Sequence, residues 1–166
     1  MALNPTLRPV LESDEGHLRR VYASTREEEL ALVGWDDDER EAFLRQQFAA
    51  QDAQYRTYPN ASLDVIEVRG QAAGRLYVAR GPDEIRIIDI ALLPPYRNRG
   101  IGTALLRELL AEAAAAGKHL TVHVEKFNPA RTLYERLGFA EAADLGVYVL
   151  MEATPQLVAA GGGGEG

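Results

Sequence analysis

Ile85-Arg86-Ile87-Ile88-Asp89-Ile90-Ala91-Leu92-Leu93 runs straight into Pro94-Pro95-Tyr96-Arg97-Asn98-Arg99-Gly100-Ile101-Gly102-Thr103, and this junction decides the fold. The first half is nearly continuous apolar chain with β-branched residues. It predicts a central strand over Glu84 to Leu93, covered on both faces. The second half ends in two glycines and opens a helical stripe of Ile101, Leu105, Leu106, Leu109, Leu110 and Ala113, closed by Gly117. A strand, a basic glycine-rich loop and a helix therefore follow one another without interruption.

Working outward, the period before this junction is that of strands. Leu63 to Val68 and Ala72 to Ala79 alternate, and Gly70 and Gly81-Pro82 mark turns, so three strands form an antiparallel meander. Earlier still, Leu7 to Val10 reads as a short first strand. Ser13 is the expected N-cap of a helix carrying Leu18, Val21 and Tyr22. A second helix is expected from Asp37 to about Tyr58, with Phe43, Leu44 and Phe48 on its apolar face. Beyond the junction, His119 to Val124 reads as a strand. Asn128-Pro129 opens a helix that Gly138 ends, with Leu133, Leu137 and Tyr134 inward. Leu145 to Met151 is the last strand. The expected order is β-α-α-β-β-β-α-β-α-β. The fold class is α+β of three-layer α/β/α type, a mixed and mostly antiparallel central sheet with helices on both faces.

At 166 residues the length fits one domain, expected over residues 1–155, with a glycine-rich, disordered tail over 156–166. The chain has no cysteine and only three histidines, which excludes thiolate metal sites and cysteine nucleophiles and predicts no metal. Its formal charge is −7. Such an acidic chain is a poor binder of nucleic-acid backbones. No stretch reads as a signal peptide or a membrane span, so a cytoplasmic protein without membrane attachment is expected.

The loop Arg97 to Thr103 carries the chemistry. A helix N-terminus presents unpaired N–H groups and the positive end of the macrodipole. Glycines let an anion reach that backbone, and two arginines add charge, so the loop reads as a pyrophosphate cradle. The competing reading is a glycine-rich turn with solvated arginines. A P-loop is excluded because no Gly-Lys-Ser/Thr triplet occurs. A dinucleotide fingerprint is a weak competitor, since Leu105 stands where its third glycine belongs.

Arg97-x-x-Gly100-x-Gly102 resembles the Arg/Gln-x-x-Gly-x-Gly/Ala signature of the GNAT family of N-acetyltransferases. Ile90-Ala91-Leu92-Leu93-Pro94 resembles that family's fourth strand and its exit. Asn128-Pro129-Ala130-Arg131 with Leu133-Tyr134-Glu135-Arg136-Leu137-Gly138-Phe139 resembles a second family motif. The resemblance is specific from about Ile85 to Met151 and implies the GNAT fold. It also implies that the protein is an enzyme moving an acetyl group from acetyl-CoA to a primary amine, by direct attack in a ternary complex. In that reading the backbone of Arg97, Asn98, Arg99, Gly100, Ile101, Gly102 and Thr103 holds the pyrophosphate of coenzyme A. Leu92 and Leu93 offer backbone groups to the pantetheine arm, Asn128 bonds near the thiol, and Tyr134 protonates the departing thiolate. A homodimer is also within what the resemblance implies.

A base must free the attacking amine of its proton. The candidates are His123, at the offset from Asn128 where the family's ribosomal-protein acetyltransferases carry a glutamate, and Asp89 on the neighbouring strand. Glu125 shares a strand face with His123 and could orient it or act itself. Core packing is the plain alternative for Tyr134, and a solvent-facing strand position is the plain alternative for His123. Eight acids between Glu27 and Glu41 read either as solvated helix faces or as a field drawing in a cationic acceptor, a small amine or a basic peptide terminus. The alternative to catalysis is a module that binds acyl-CoA or a nucleotide without turnover. A regulatory protein using its acidic surface is a third option.

Overall fold

The computed structural model describes residues 4–155. The glycine-rich tail expected over 156–166 lies outside the described residues. In chain order the elements are β1 (Pro5–Pro9), α1 (Glu15–Ala31), α2 (Asp37–Tyr55), β2 (Ala61–Val68), β3 (Gln71–Arg80), β4 (Glu84–Leu92), α3 (Ile101–Ala116), β5 (His119–Glu125), α4 (Ala130–Arg136), β6 (Ala140–Asp144) and β7 (Tyr148–Ala153). The seven strands form a sheet in the order β1-β2-β3-β4-β5-β7-β6. Pairing is antiparallel between β1 and β2, β5 and β7, and β6 and β7, and parallel between β4 and β5. The parallel pair requires a crossover, which α3 supplies. The fold class is thus α+β with a mixed sheet. No helix among the described residues is long and apolar enough to cross a membrane.

Two element boundaries are corrected. The sequence places one strand from Leu145 to Met151, whereas the chain makes a hairpin of β6 and β7 turning at Gly146, where φ is +96°. Ala140-Glu141-Ala142-Ala143-Asp144 is poor in β-branched and aromatic residues, so its strand state rests on pairing with β7. Ser13 does not cap α1. A 3-10 turn over Glu12–Asp14 precedes the helix, and the carboxylate that organises this entry belongs to Asp14. It accepts the Leu11 N–H at 2.7 Å and a bidentate pair of bonds from Arg8, both at 2.8 Å.

The described residues group into two compact units, 4–77 with 89–102, and 78–88 with 103–155. In the first, Leu18, Val21 and Tyr22 of α1 and Phe48 of α2 are buried, and the Tyr22 and Phe48 rings sit 6.2 Å apart. The α2 start is a reciprocal capping box: Glu39 N–H donates to Asp36 Oδ1 at 2.8 Å, and Asp36 N–H donates to Glu39 Oε1 at 2.9 Å. In the second, Leu105, Leu106, Leu109 and Ala113 of α3 are buried, as are Ile85, Ile87, Leu120, Val122, Val124, Val149 and Met151 from the strands.

The strand buried along most of its length is β3, not β4. Residues 73–79 are all buried, while β4 buries only Ile85 and Ile87. β3 carries a fully buried charge, Arg75. At Gly74 an added Cβ would stand 2.2 Å from the Ala91 carbonyl oxygen, so the backbones meet there too closely for any side chain.

Candidate active site

The first unit holds the glycine-rich loop. After β4 a 3-10 turn over Pro94–Tyr96 reverses the chain. Asn98 (φ +59°) and Gly100 (φ +82°) then adopt left-handed backbone. α3 begins at Ile101, whose side chain is fully buried and fixes where the helix starts. Cβ atoms built on Gly100 and Gly102 meet nothing within 4 Å. The space in front of this helix end is therefore open, and a larger side chain would project into it. The first N–H groups of the 16-residue helix lack intrahelical partners, which fits an anionic phosphate group.

Arg97 is exposed but tied to the fold. Its Nε donates to the Leu92 carbonyl at 2.9 Å, and its Nη2 donates to Ser24 Oγ at 3.1 Å and to the Ser24 carbonyl at 3.3 Å. The guanidinium thus folds back onto β4 and α1 and shapes the loop, and Arg99 beside it is a second exposed cation. Leu93 N–H donates to the Ala73 carbonyl at 2.8 Å, and the Leu93 carbonyl accepts Tyr96 N–H at 2.9 Å. The backbone groups expected to meet the pantetheine arm are therefore partly engaged. Each carbonyl retains a second lone pair.

Asp89 faces a network that the sequence reading missed. Its Oδ2 accepts Arg75 Nε at 2.5 Å, and Arg75 Nη2 donates to Gln51 Oε1 at 2.9 Å. The guanidinium also stands over the rings of Tyr77 and Tyr55, at 5.3 and 5.7 Å. A buried guanidinium needs such partners, because an unpaired buried charge is costly. The sequence signal was one arginine within Ala73-Gly74-Arg75-Leu76-Tyr77, a charge in an otherwise apolar strand.

The second unit holds His123, Asn128 and Tyr134. His123 is exposed on β5, opposite Leu150 of β7. Partial burial of its ring lowers its pKa, the positive charge of Arg86 lowers it further, and Glu84 opposes both. Those neighbours form a closed network on β4 and β5. Arg86 Nε donates to Thr121 Oγ1 at 2.7 Å, Arg86 Nη2 donates to Glu84 Oε2 at 2.8 Å, and the Thr121 hydroxyl donates to the same carboxylate. Against the cost of burial, the bonds from Thr121 and Arg86 hold the Glu84 carboxyl below its usual range.

Asn128 is exposed, and its Oδ1 accepts Ala130 N–H at 2.8 Å, which organises the entry to α4. Tyr134 is buried, with its ring edge-on to Phe139 at 5.3 Å. Leu133 and Leu137 are only half-buried, so Tyr134 anchors this short helix.

A mixed sheet with an open, glycine-lined helix N-terminus beyond its fourth strand fits a phosphate-bearing ligand. Residues 14–139 match the family model of the acetyltransferase (GNAT) family, and the chain belongs to that family. It is 40% identical over 60 residues to the [ribosomal protein bS18]-alanine N-acetyltransferase of Haemophilus influenzae. That match covers 36% of this chain and 41% of the relative, so the chain spans less than half the length of this relative. Among solved structures, the PaiA N-acetyltransferase of Thermoplasma acidophilum in complex with coenzyme A aligns with a TM-score of 0.68 at 16% identity, over 90% of this chain and 98% of that one. An acetyltransferase from Thermus thermophilus aligns with a TM-score of 0.66 at 20% identity, over 91% and 97%. These two likenesses are of fold.

Proposed function

We propose that the protein is an acetyl-CoA-dependent N-acetyltransferase acting on a primary amine. The observation that carries this is the loop at the start of α3, with open space before Gly100 and Gly102 in a chain whose residues 14–139 match an acetyltransferase family. The coenzyme A complex of the Thermoplasma relative supports the choice of cofactor.

In this reading the backbone N–H groups from Arg97 to Thr103 hold the pyrophosphate, and Arg99 adds charge. Arg97 contributes through the loop's shape rather than through its guanidinium. Leu92 and Leu93 accept further hydrogen bonds through their carbonyls. Asn128 binds near the thiol end. When bound, acetyl-CoA supplies a thioester carbonyl as the electrophile and a thiolate as the leaving group.

His123 takes the proton from the amine, since an ammonium has no lone pair to attack with. Its lowered pKa keeps the imidazole neutral near pH 7, the state a base needs. Asp89 is held by Arg75, which makes it the weaker candidate. Tyr134 Oη gives its proton to the departing sulfur. The acceptor is a small-molecule amine or a peptide amine. The named activity of the Haemophilus relative, on an alanine of a ribosomal protein, supports a peptide N-terminus as one form of it.

The test pairs thiol release from acetyl-CoA over a panel of amines with calorimetry of acetyl-CoA binding. Binding with amine-dependent thiol release is expected. Binding without release for any amine would leave the binding-module reading in its place, and no binding would refute the cradle.

A further inference from the structure

Large apolar side chains lie exposed along one short stretch of the second unit. Phe127, Leu145, Val147 and Tyr148 are 92%, 55%, 68% and 48% exposed. The strand registers sort them onto faces. Glu125 pairs with Tyr148 and His123 with Leu150 across β5 and β7, and Leu150 pairs with Ala143 of β6. Leu145 N–H donates to the Tyr148 carbonyl at 2.8 Å, which closes the hairpin and sets these two residues opposite each other. Residues directly opposite on neighbouring strands share a face, and alternate residues along a strand do too. Leu145, Tyr148 and Glu125 thus form one row, and Ala143, Leu150 and His123 form the next.

The other face of these strands is filled by Val122, Val124, Val149 and Met151, all buried. The hydrophobic core therefore does not account for Leu145 and Tyr148. Nor do the neighbouring polar groups. Arg86, Thr121 and Glu84 satisfy one another farther along the same face, beyond His123. The Glu125 carboxylate is exposed and makes no hydrogen bond or ion pair among the described residues. An apolar row, an unpaired carboxylate and an imidazole lie side by side on a rigid sheet. This combination is complementary to a cation that carries an apolar chain.

We propose that Leu145, Tyr148 and Leu150 bind the apolar portion of the acceptor while Glu125 faces its ammonium, so that the substrate class is an amphipathic primary amine. This rests on the acetyl-transfer reading above. Glu125 holds the incoming cation in the row next to His123, and the apolar chain runs across β7 toward the hairpin.

The test uses n-alkylamines from ethylamine to hexylamine, whose basicity is nearly constant while apolar area grows. Their binding to the protein saturated with coenzyme A is read by calorimetry, and their turnover is read by thiol release. Affinity is expected to rise about two- to fourfold per methylene, and KM to carry the trend while kcat stays level. Leu145→Ser with Tyr148→Ser should flatten that slope. Glu125→Gln should weaken every member by a similar factor of about two to five and keep the slope. A flat series in the unaltered protein overturns the proposal. So does a flat series accompanied by dimerisation that the serine variants abolish, which would assign the row to a second copy of the chain. A retained slope in binding without turnover of any amine upholds the amphipathic site and refutes the acetyl-transfer reading alone.

Discussion

At the scale of single residues, two side chains on α4 and β5 carry the proposed proton transfers, and their surroundings predict different behaviour. Tyr134 packs against Phe139 and anchors α4, so Tyr134→Phe keeps the ring contact and removes only the hydroxyl. Turnover should fall by about 10²–10⁴-fold with acetyl-CoA affinity nearly unchanged. A turnover within twofold of the unaltered protein, with chemistry limiting, would return Tyr134 to a packing role. His123 titrates below its ordinary value because burial and Arg86 both disfavour the imidazolium. The acidic limb of the kcat/KM profile should therefore lie below the usual histidine range. Arg86→Gln removes the repelling charge and leaves Glu84 unopposed, so the limb should move to higher pH. His123→Ala should abolish that limb. An unmoved limb in both variants would assign the base to Glu125, Asp89 or water. The candidate side chains were legible in the sequence because they sit in motifs. Arg75 with Asp89, and Arg86 with Glu84 and Thr121, were not, because these pairings join residues on different strands and depend on register.

Among the elements, the start of α3 separates folding from binding. Gly102 lies in the first turn with ordinary helical backbone and no protein atom near its missing Cβ. Gly102→Val should leave thermal unfolding nearly unchanged, since a β-branched residue costs a helix little. Acetyl-CoA affinity should nonetheless fall tenfold or more, because the new methyls occupy the approach to the N–H groups. Equal affinity in a folded variant would refute the cradle. The start of α2 should behave in the opposite way. Asp36→Ala breaks the capping box and should cost about 1 kcal/mol of stability by denaturant unfolding, with acetyl-CoA affinity unaffected. Element types with strong periodicity, α2, α3, β2 and β5, could be read from the chain to within a few residues. The alanine-rich β6 could not, because its strand state comes from a partner rather than from its own residues. The burial of β3 was also hidden, since its small residues and arginine look less like a core than the isoleucines of β4 do.

Charge is a property of the whole molecule, and here it is −7 over 166 residues. The eight acids from Glu27 to Glu41 contribute strongly to it, yet most have local work. Asp36 and Glu39 form the α2 cap, Glu29 pairs with Arg26, Asp37 with Arg40 and Glu41 with Arg45. Exposed pairs of this kind are worth little in stability. They also cancel part of the field, which leaves Glu27, Glu28 and Asp38 as the acids of the run without a local partner among the described residues. A field from these three and the net charge should raise the encounter rate of a cationic acceptor, and salt should weaken it because the Debye length is about 10 Å at 0.1 M. kcat/KM for an amine that is cationic at the assay pH should therefore fall from tens to hundreds of millimolar salt, while that for a neutral amine of similar nucleophilicity stays level. Glu27→Gln, Glu28→Gln and Asp38→Asn together should bring the two salt curves closer. They leave the capping box intact, and because Asp38 lies in the first turn of α2, where its charge favours the helix dipole, thermal unfolding of the variant separates steering from helix stability. Parallel curves for both amines in the unaltered protein would mean that the acidic run is solvated helix surface, and that acceptor recognition is confined to contact range.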